Sequence, residues 1–244
     1  MNKRIVIIGA TSGIGNEVAK IYLQLGWKVG IAGRRQTKLE EFRVTAPKQI
    51  EIEALDVTEE DSSLKLQSLI NKLGGMDVFL LSSGIGFQNA ELKTDIEINT
   101  TKTNVEGFVR MTTTAFHYFE TNGSGHLAVI SSIAGTKGIG IAPAYSATKR
   151  FQNTYIDALV QLSNTKKLNI HFTDIRPGFV ATALLKDNKY PMLMQADKVA
   201  QQIVHSINKQ KRIAVIDGRY AFLVFFWKMI PRWLWERINL NREH

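Results

Sequence analysis

The sequence predicts an α/β protein, a doubly wound sandwich with a mostly seven-stranded parallel sheet and helices on both faces. Three observations predict it. Short runs rich in Val and Ile alternate with helically spaced apolar segments along the whole chain. The runs are apolar at consecutive positions, as in strands covered on both sides. A chain of 244 residues is also long enough for one well-buried core.

KRIVIIG (3–9) reads as the first strand, followed by NEVAKIYLQLG with Val18, Ile21, Tyr22 and Leu25 on one side and Gly26 as a stop. KVGIAG (28–33) is the second strand, TKLEEFRV (37–44) a helix closed by Pro47, and QIEIEALDV (49–57) a third strand with a period of two. Helix 59–73, strand DVFLLSS (77–83), a long helix over about 100–120 and strand HLAVISS (126–132) continue the series. A helix over about 143–163, strand NIHFTDIRPG (169–178), helix 197–209 and strand RIAVID (212–217) complete it. Parallel strands need crossovers, which these helices supply. No repeat, linker or low-complexity stretch divides the chain. Residues 1–244 are therefore expected to form a single domain, with 218–244 an aromatic and basic C-terminal extension.

Composition removes several chemistries. There is no cysteine, hence no thiolate catalysis, disulfide or zinc site built on sulfur, which fits a reducing compartment. The apolar run after Asn2-Lys3-Arg4 is too short for a signal peptide, and no stretch of about 18 apolar residues is present to span a bilayer. The expected location is cytoplasmic. The net charge of +9 is spread along the chain rather than gathered in one stripe, and no nucleic-acid recognition motif is visible, so no nucleic-acid partner is expected.

In such a sheet, ligands bind at the carboxyl ends of the strands near the switch point of strand order. There the first strand runs into GATSGIG, whose Gly9, Gly13 and Gly15 allow a tight turn, while the start of the next helix offers N–H groups to a pyrophosphate. Thr11, Ser12 and Ile14 of the same turn are counted as cofactor contacts. An NAD site would carry an acidic residue about 20 residues beyond the glycines. Here the second strand ends in Gly33, Arg34 and Arg35, with no carboxylate between Lys28 and Leu39. A guanidinium attracts a 2′-phosphate, so NADP(H) is preferred and NAD(H) is the second choice.

YSATKR places Tyr145 and Lys149 one helical turn apart on one face. An ammonium there stabilises a phenolate and is expected to move the tyrosine pKa toward working pH, as general acid/base chemistry requires. Ser132, at the end of a strand, delivers a hydroxyl to the same cleft, where it can hydrogen-bond a substrate carbonyl.

These pieces resemble the short-chain dehydrogenase/reductase family. GATSGIG, Asp56-Val57, Asn104 in TNVEGF, Ser132, Tyr145 with Lys149, and RPGFVAT occur in the family's order over nearly the whole chain. The resemblance implies a Rossmann-type fold and an oxidoreductase that transfers hydride between nicotinamide and a small-molecule carbonyl or alcohol. Tyr145 would be the acid/base, Ser132 would orient substrate, and Lys149 would hold the nicotinamide ribose. Asn104 would anchor a water in a proton relay beneath Lys149. Asp56, with Val57, would meet the adenine, while Pro177, Gly178, Val180 and Thr182 would frame the nicotinamide. The family's Asn-Asn-Ala-Gly after the fourth strand is here Leu81, Ser82, Ser83 and Gly84: the glycine is kept and the asparagine side chain that ties neighbouring strands is lost. Homodimers or homotetramers through the helices over 100–120 and 143–163 are also implied.

The segment after the sixth strand mixes Leu184, Leu185, Met192, Leu193 and Met194, which suits either an apolar lid for an apolar substrate or ordinary packing. The tail interleaves aromatics from Tyr220 to Trp235 with Lys228, Arg232 and Arg237. That pattern fits a peripheral membrane contact, a subunit contact or a cover over the cleft. A cofactor-binding sensor or scaffold on the same fold would keep GATSGIG and Arg34 but need neither Ser132 nor Tyr145, and turnover with aldehydes and ketones separates the two.

Overall fold

The computed structural model describes residues 3–183, 185 and 190–239. In chain order its elements are β1 (Arg4–Ile8), α1 (Gly13–Gln24), β2 (Lys28–Gly33), α2 (Gln36–Val44), β3 (Ile50–Ala54), α3 (Ser62–Leu73), β4 (Val78–Leu81) and α4 (Thr94–Thr101). A π-helical turn (Lys102–Gly107) leads into α5 (Phe108–Asn122), β5 (Ser124–Ile130), a 3₁₀ turn (Ile133–Thr136), α6 (Pro143–Thr165) and β6 (Asn169–Arg176). Then come β7 (Val180–Ala181), β8 (Met194–Gln195), α7 (Ala196–Asn208), β9 (Ile213–Val215), α8 (Gly218–Met229) and α9 (Arg232–Trp235).

Seven strands form one sheet in the order β3-β2-β1-β4-β5-β6-β9, and every pairing in it is parallel. Strand order reverses between β1 and β4, which opens the crevice at their carboxyl ends. Alternation along β1 builds two cores. Ile5 and Ile7 face α1, α2 and α7 through Val18, Tyr22, Leu39 and Val199, while Val6 and Ile8 face α3, α5 and α6 through Leu66, Phe108, Phe119 and Ile156.

The expected series of strands is all present, with some boundaries moved. The long helix predicted over 100–120 begins earlier, at Thr94, and carries the π-helical turn in its middle, a bulge that places Asn104 in the crevice wall. The tail is helical, with Pro231 separating α8 from α9. Leu184 of the segment read as a lid, and 240–244 of the tail, lie outside the described residues.

Candidate active site

The crevice is assembled from strand ends. Gly9 follows β1 with φ 90°, and a Cβ there would lie 2.5 Å from the Ser83 nitrogen. Only glycine lets the ends of β1 and β4 approach this closely. Ser12 precedes α1 in an extended conformation, its side chain caps nothing, and the first turn of α1 carries no acidic residue. The helix start therefore presents N–H groups and partial positive charge to the crevice, which suits a pyrophosphate.

At the far side of this turn Arg35 donates to Thr11 Oγ1 (2.8 and 3.2 Å) and to Ser12 Oγ (2.7 Å). The guanidinium is thus fixed beside the cradle. Arg34 Nη1 lies 3.9 Å from Asp56 Oδ2, while the other Asp56 oxygen accepts from Thr58 N and Oγ1 at 3.0 and 2.9 Å. Val57 is buried against Gly107. Ile14 is half-buried on the core.

Ser132 follows β5 by two residues and opens the 3₁₀ turn, its Oγ accepting from Ala134 N at 3.0 Å and donating to Pro177 O at 3.4 Å. Tyr145, in the first turn of α6, brings its phenol toward the Ser132 hydroxyl. Its ring lies flat on Gly86, where a Cβ would meet Cδ2 at 2.5 Å. Pro143 starts α6 with φ already set for a helix, and Glu97 of α4 accepts from Ala144 N at 2.9 Å, which places a carboxylate at the helix N-terminus.

Lys149 stands one turn along α6 from Tyr145. Its Nζ lies 5.8 Å from the Tyr145 ring centroid and donates to Ile130 O (3.1 Å) and Gln152 Oε1 (3.0 Å). Burial raises the Tyr145 pKa, and the nearby Ser132 hydroxyl opposes that shift. Burial also lowers the Lys149 pKa from 10.5 to about 8, with the Asp174 charge acting in the other direction.

That shift has a consequence for stability. Between about pH 8 and 10.5 the unfolded chain holds the Lys149 proton and the folded chain does not, so stability rises with pH across this window. Lys149→Met should remove that rise, seen by chemical unfolding at a series of pH values. Parallel curves for the two proteins would contradict it.

Asn104 is fully buried: its Oδ1 accepts from Ile85 N at 2.9 Å, and its Nδ2 donates to Ile85 O at 2.7 Å and Thr148 Oγ1 at 3.1 Å. Gln152 Nε2 donates to Asn104 O at 2.9 Å. A side-chain amide therefore joins Lys149 to the Asn104 carbonyl. Gly84 adjoins both, a Cβ there lying 3.3 Å from Asn104 Oδ1 and 3.5 Å from Lys149 Nζ. Without the family's asparagine, the end of β4 is tied to β1 by Ser82 N donating to Ile8 O at 2.8 Å.

Pro177 O also accepts from Ile133 N at 3.1 Å, joining the segment after β6 to the Ser132 turn. Gly178 stands against the Tyr220 ring, Val180 is buried in β7, and Thr182 reaches Gly13, where a Cβ would lie 3.3 Å from its methyl. The structure thus brings the expected residues to one end of the sheet.

Sequence reasoning missed Gly86, Glu97, Gln152, Asn153 and Asp174. Ser131 donates to Asp174, as do Asn153 Nδ2 (3.0 Å) and Arg176 Nε (2.8 Å), and Asn153 also donates to Ser131 Oγ at 2.9 Å. This buried cluster fixes the residue before Ser132. Its signal was present: Gln152 and Asn153 repeat the Tyr145–Lys149 face one turn further along.

Fold and cradle define a Rossmann-type dinucleotide-binding protein. The model of the family described as short chain dehydrogenase matches residues 3–191. The chain is 33% identical over 194 residues to an uncharacterized oxidoreductase of Myxococcus xanthus, covering 77% of this chain and 76% of that one. It is 28% identical over 266 aligned residues to dehydrogenase/reductase SDR family member 7B of Danio rerio, covering 99% and 85% respectively. Among solved structures, 3-ketoacyl-(acyl-carrier-protein) reductase of Brucella melitensis complexed with NADH gives a TM-score of 0.78 at 25% identity, covering 88% of this chain and 97% of the other. ElxO with NADP bound gives 0.79 at 24% identity, covering 91% and 100%. The chain belongs to the short-chain dehydrogenase/reductase family and is an oxidoreductase of that type.

Proposed function

We propose that the protein is an NADP(H)-preferring reductase of an apolar carbonyl compound, with Tyr145 as its general acid, and that it acts in the cytoplasm as a homodimer or homotetramer. Residues 1–244 would then be a single dinucleotide-binding and catalytic domain with the extension at 218–244. The observation that carries the reading is the convergence of the Tyr145 phenol and the Ser132 hydroxyl at the carboxyl end of the sheet, beside an uncapped helix start.

When bound, the dinucleotide supplies or accepts the hydride. The start of α1 holds its pyrophosphate, Arg35 and Arg34 attract a 2′-phosphate, and Asp56 faces the adenine. Lys149 holds the nicotinamide ribose. Ser132 donates a hydrogen bond to the substrate oxygen and fixes it in front of the phenol. Tyr145, kept protonated at neutral pH by burial, releases its proton only as that oxygen gains negative charge. Lys149 is held in place by Ile130 O and Gln152 Oε1, Gln152 in turn by the Asn104 carbonyl, and the proton that Tyr145 loses is replaced from water.

Exposed Phe87 follows Gly86, which touches the Tyr145 ring, and exposed Phe179 follows Gly178 and packs on Tyr190 with ring centroids 4.7 Å apart. That apolar surface supports an apolar substrate. Subunit contact through α5 and α6 is supported by the stacked and partly exposed pair Phe151 and Tyr155.

Titration with both dinucleotides, followed by turnover with apolar ketones, tests the proposal. NADPH should bind at least about tenfold more tightly than NADH, and Arg35→Ala should erase that difference by removing charge-assisted hydrogen bonds. Equal affinities in the parent protein would refute the preference. An absence of turnover with bound NADPH would refute the activity.

A further inference from the structure

α8 is apolar on both of its faces. Tyr220 and Val224 face inward and are buried, with Leu223 and Trp227 packed against the same core. Phe222, Phe225 and Met229 lie on the opposite side and are 68%, 59% and 65% exposed, with Phe226 beside them and Trp233 of α9 61% exposed. A helix apolar all round needs cover on both sides, and these side chains form one continuous surface, Phe226 touching both Phe222 and Phe225. A hollow of about 770 Å³ lined by Met192, Phe222, Leu223, Phe226 and Trp227 opens on the same face.

Charge indicates what covers it. Residues 217–239 hold four cations, Arg219, Lys228, Arg232 and Arg237, against two carboxylates, Asp217 and Glu236, which pair with Arg219 and Arg232, leaving an excess of two positive charges. All four cations lie on the exposed surface. A two-fold contact between copies would place this positive patch against itself, which like-charge repulsion disfavours. Aromatic rings interleaved with arginine and lysine suit the headgroup region of a bilayer with negative lipids.

We propose that the outward face of α8 and α9 docks on an anionic lipid surface, with Phe222, Phe225, Met229 and Trp233 entering the headgroup boundary and Lys228, Arg232 and Arg237 meeting the phosphates. The tail is rigidly attached for this purpose. Lys137 Nζ donates to Ile230 O and Trp235 Nε1 donates to Gly138 O, both at 2.7 Å, so the docked helices hold the strand-to-α6 connection that lies between Ser132 and Tyr145.

Flotation of the full-length protein with phosphatidylglycerol–phosphatidylcholine vesicles, against vesicles of phosphatidylcholine alone, tests the docking. The protein should float with the anionic vesicles only and be released by salt. Exchanging Phe225→Glu and Met229→Glu together should weaken binding more than about tenfold, since two exposed anchors are lost without touching the core. Lys228→Glu should weaken it about fivefold or more. An unchanged melting temperature and retained NADPH binding confirm that the variants are folded. Failure to float with anionic vesicles overturns the proposal, as does equal flotation by the parent and both variants. It is also overturned if sedimentation velocity shows a lipid-free oligomer that the Phe225→Glu, Met229→Glu protein no longer forms, because a second copy would then occupy the face.

Discussion

Tyr145→Phe should lower turnover by about a thousandfold while leaving NADPH affinity within about twofold of the parent, since positioned proton transfer contributes factors of this order. The substitution isolates the proton. The ring already lies flat on Gly86, so phenylalanine fills the same space, and Ser132 keeps Ala134 N and Pro177 O as partners. Steady-state rates with a verified ketone, together with NADPH fluorescence, measure both halves. Turnover within about tenfold of the parent would remove Tyr145 from the chemistry, because a general acid is worth more than that. A parallel loss of cofactor binding would instead mean that the phenol holds the dinucleotide.

Asp174→Ala should cost about 3–5 kcal/mol of folding stability, the range for removing one partner of a buried ion pair. The Asp174 side chain is fully buried and pairs with Arg176 at 2.5 Å, while Asn153 and Ser131 donate to the same carboxylate. Alanine leaves a buried guanidinium without its counter-charge, while Asn153 and Ser131 each lose one bond and keep Ser131 Oγ and Ile175 O as acceptors. The effect should reach the active site as well, since Ser131 precedes Ser132. Urea unfolding, read beside kcat and KM, checks it. A loss below about 1 kcal/mol would mean that water or a neighbour takes over these bonds.

The fold was legible because each strand is short, apolar and β-branched, and because Gly, Pro and charged residues punctuate the helices at the right places. Parallel pairing followed from the crossovers without knowledge of any contact. The candidate site was legible where one residue type at one spacing carries the chemistry, as with Gly9, Gly13, Tyr145 and Lys149. It was not legible where function depends on direction. Spacing places Lys149 beside Tyr145 on α6, but the side chain turns to Ile130 O and Gln152, an orientation set by β5 packing across from the helix. Asp174 was equally hidden. In an apolar strand it reads as an exception, and only the pairing of β5 with β6 brings Ser131 and Asn153 to it. The outward face of α8 could not be separated from its inward face by hydropathy, since both are apolar; burial alone divides Tyr220 and Val224 from Phe222 and Phe225.

Tyr220 lies on α8, yet its hydroxyl accepts from Phe179 N at 3.1 Å and donates to Pro191 O at 3.0 Å and Met192 O at 3.2 Å. One side chain therefore clasps both sides of the segment that frames the cleft, and it is made after every other part of that cleft. During synthesis the glycine turn, the serine and the acid can all be in place while this clasp is still inside the ribosome. A nascent chain would hence lack this clasp until α8 emerges, so α8 sets when both ends of that segment are fixed.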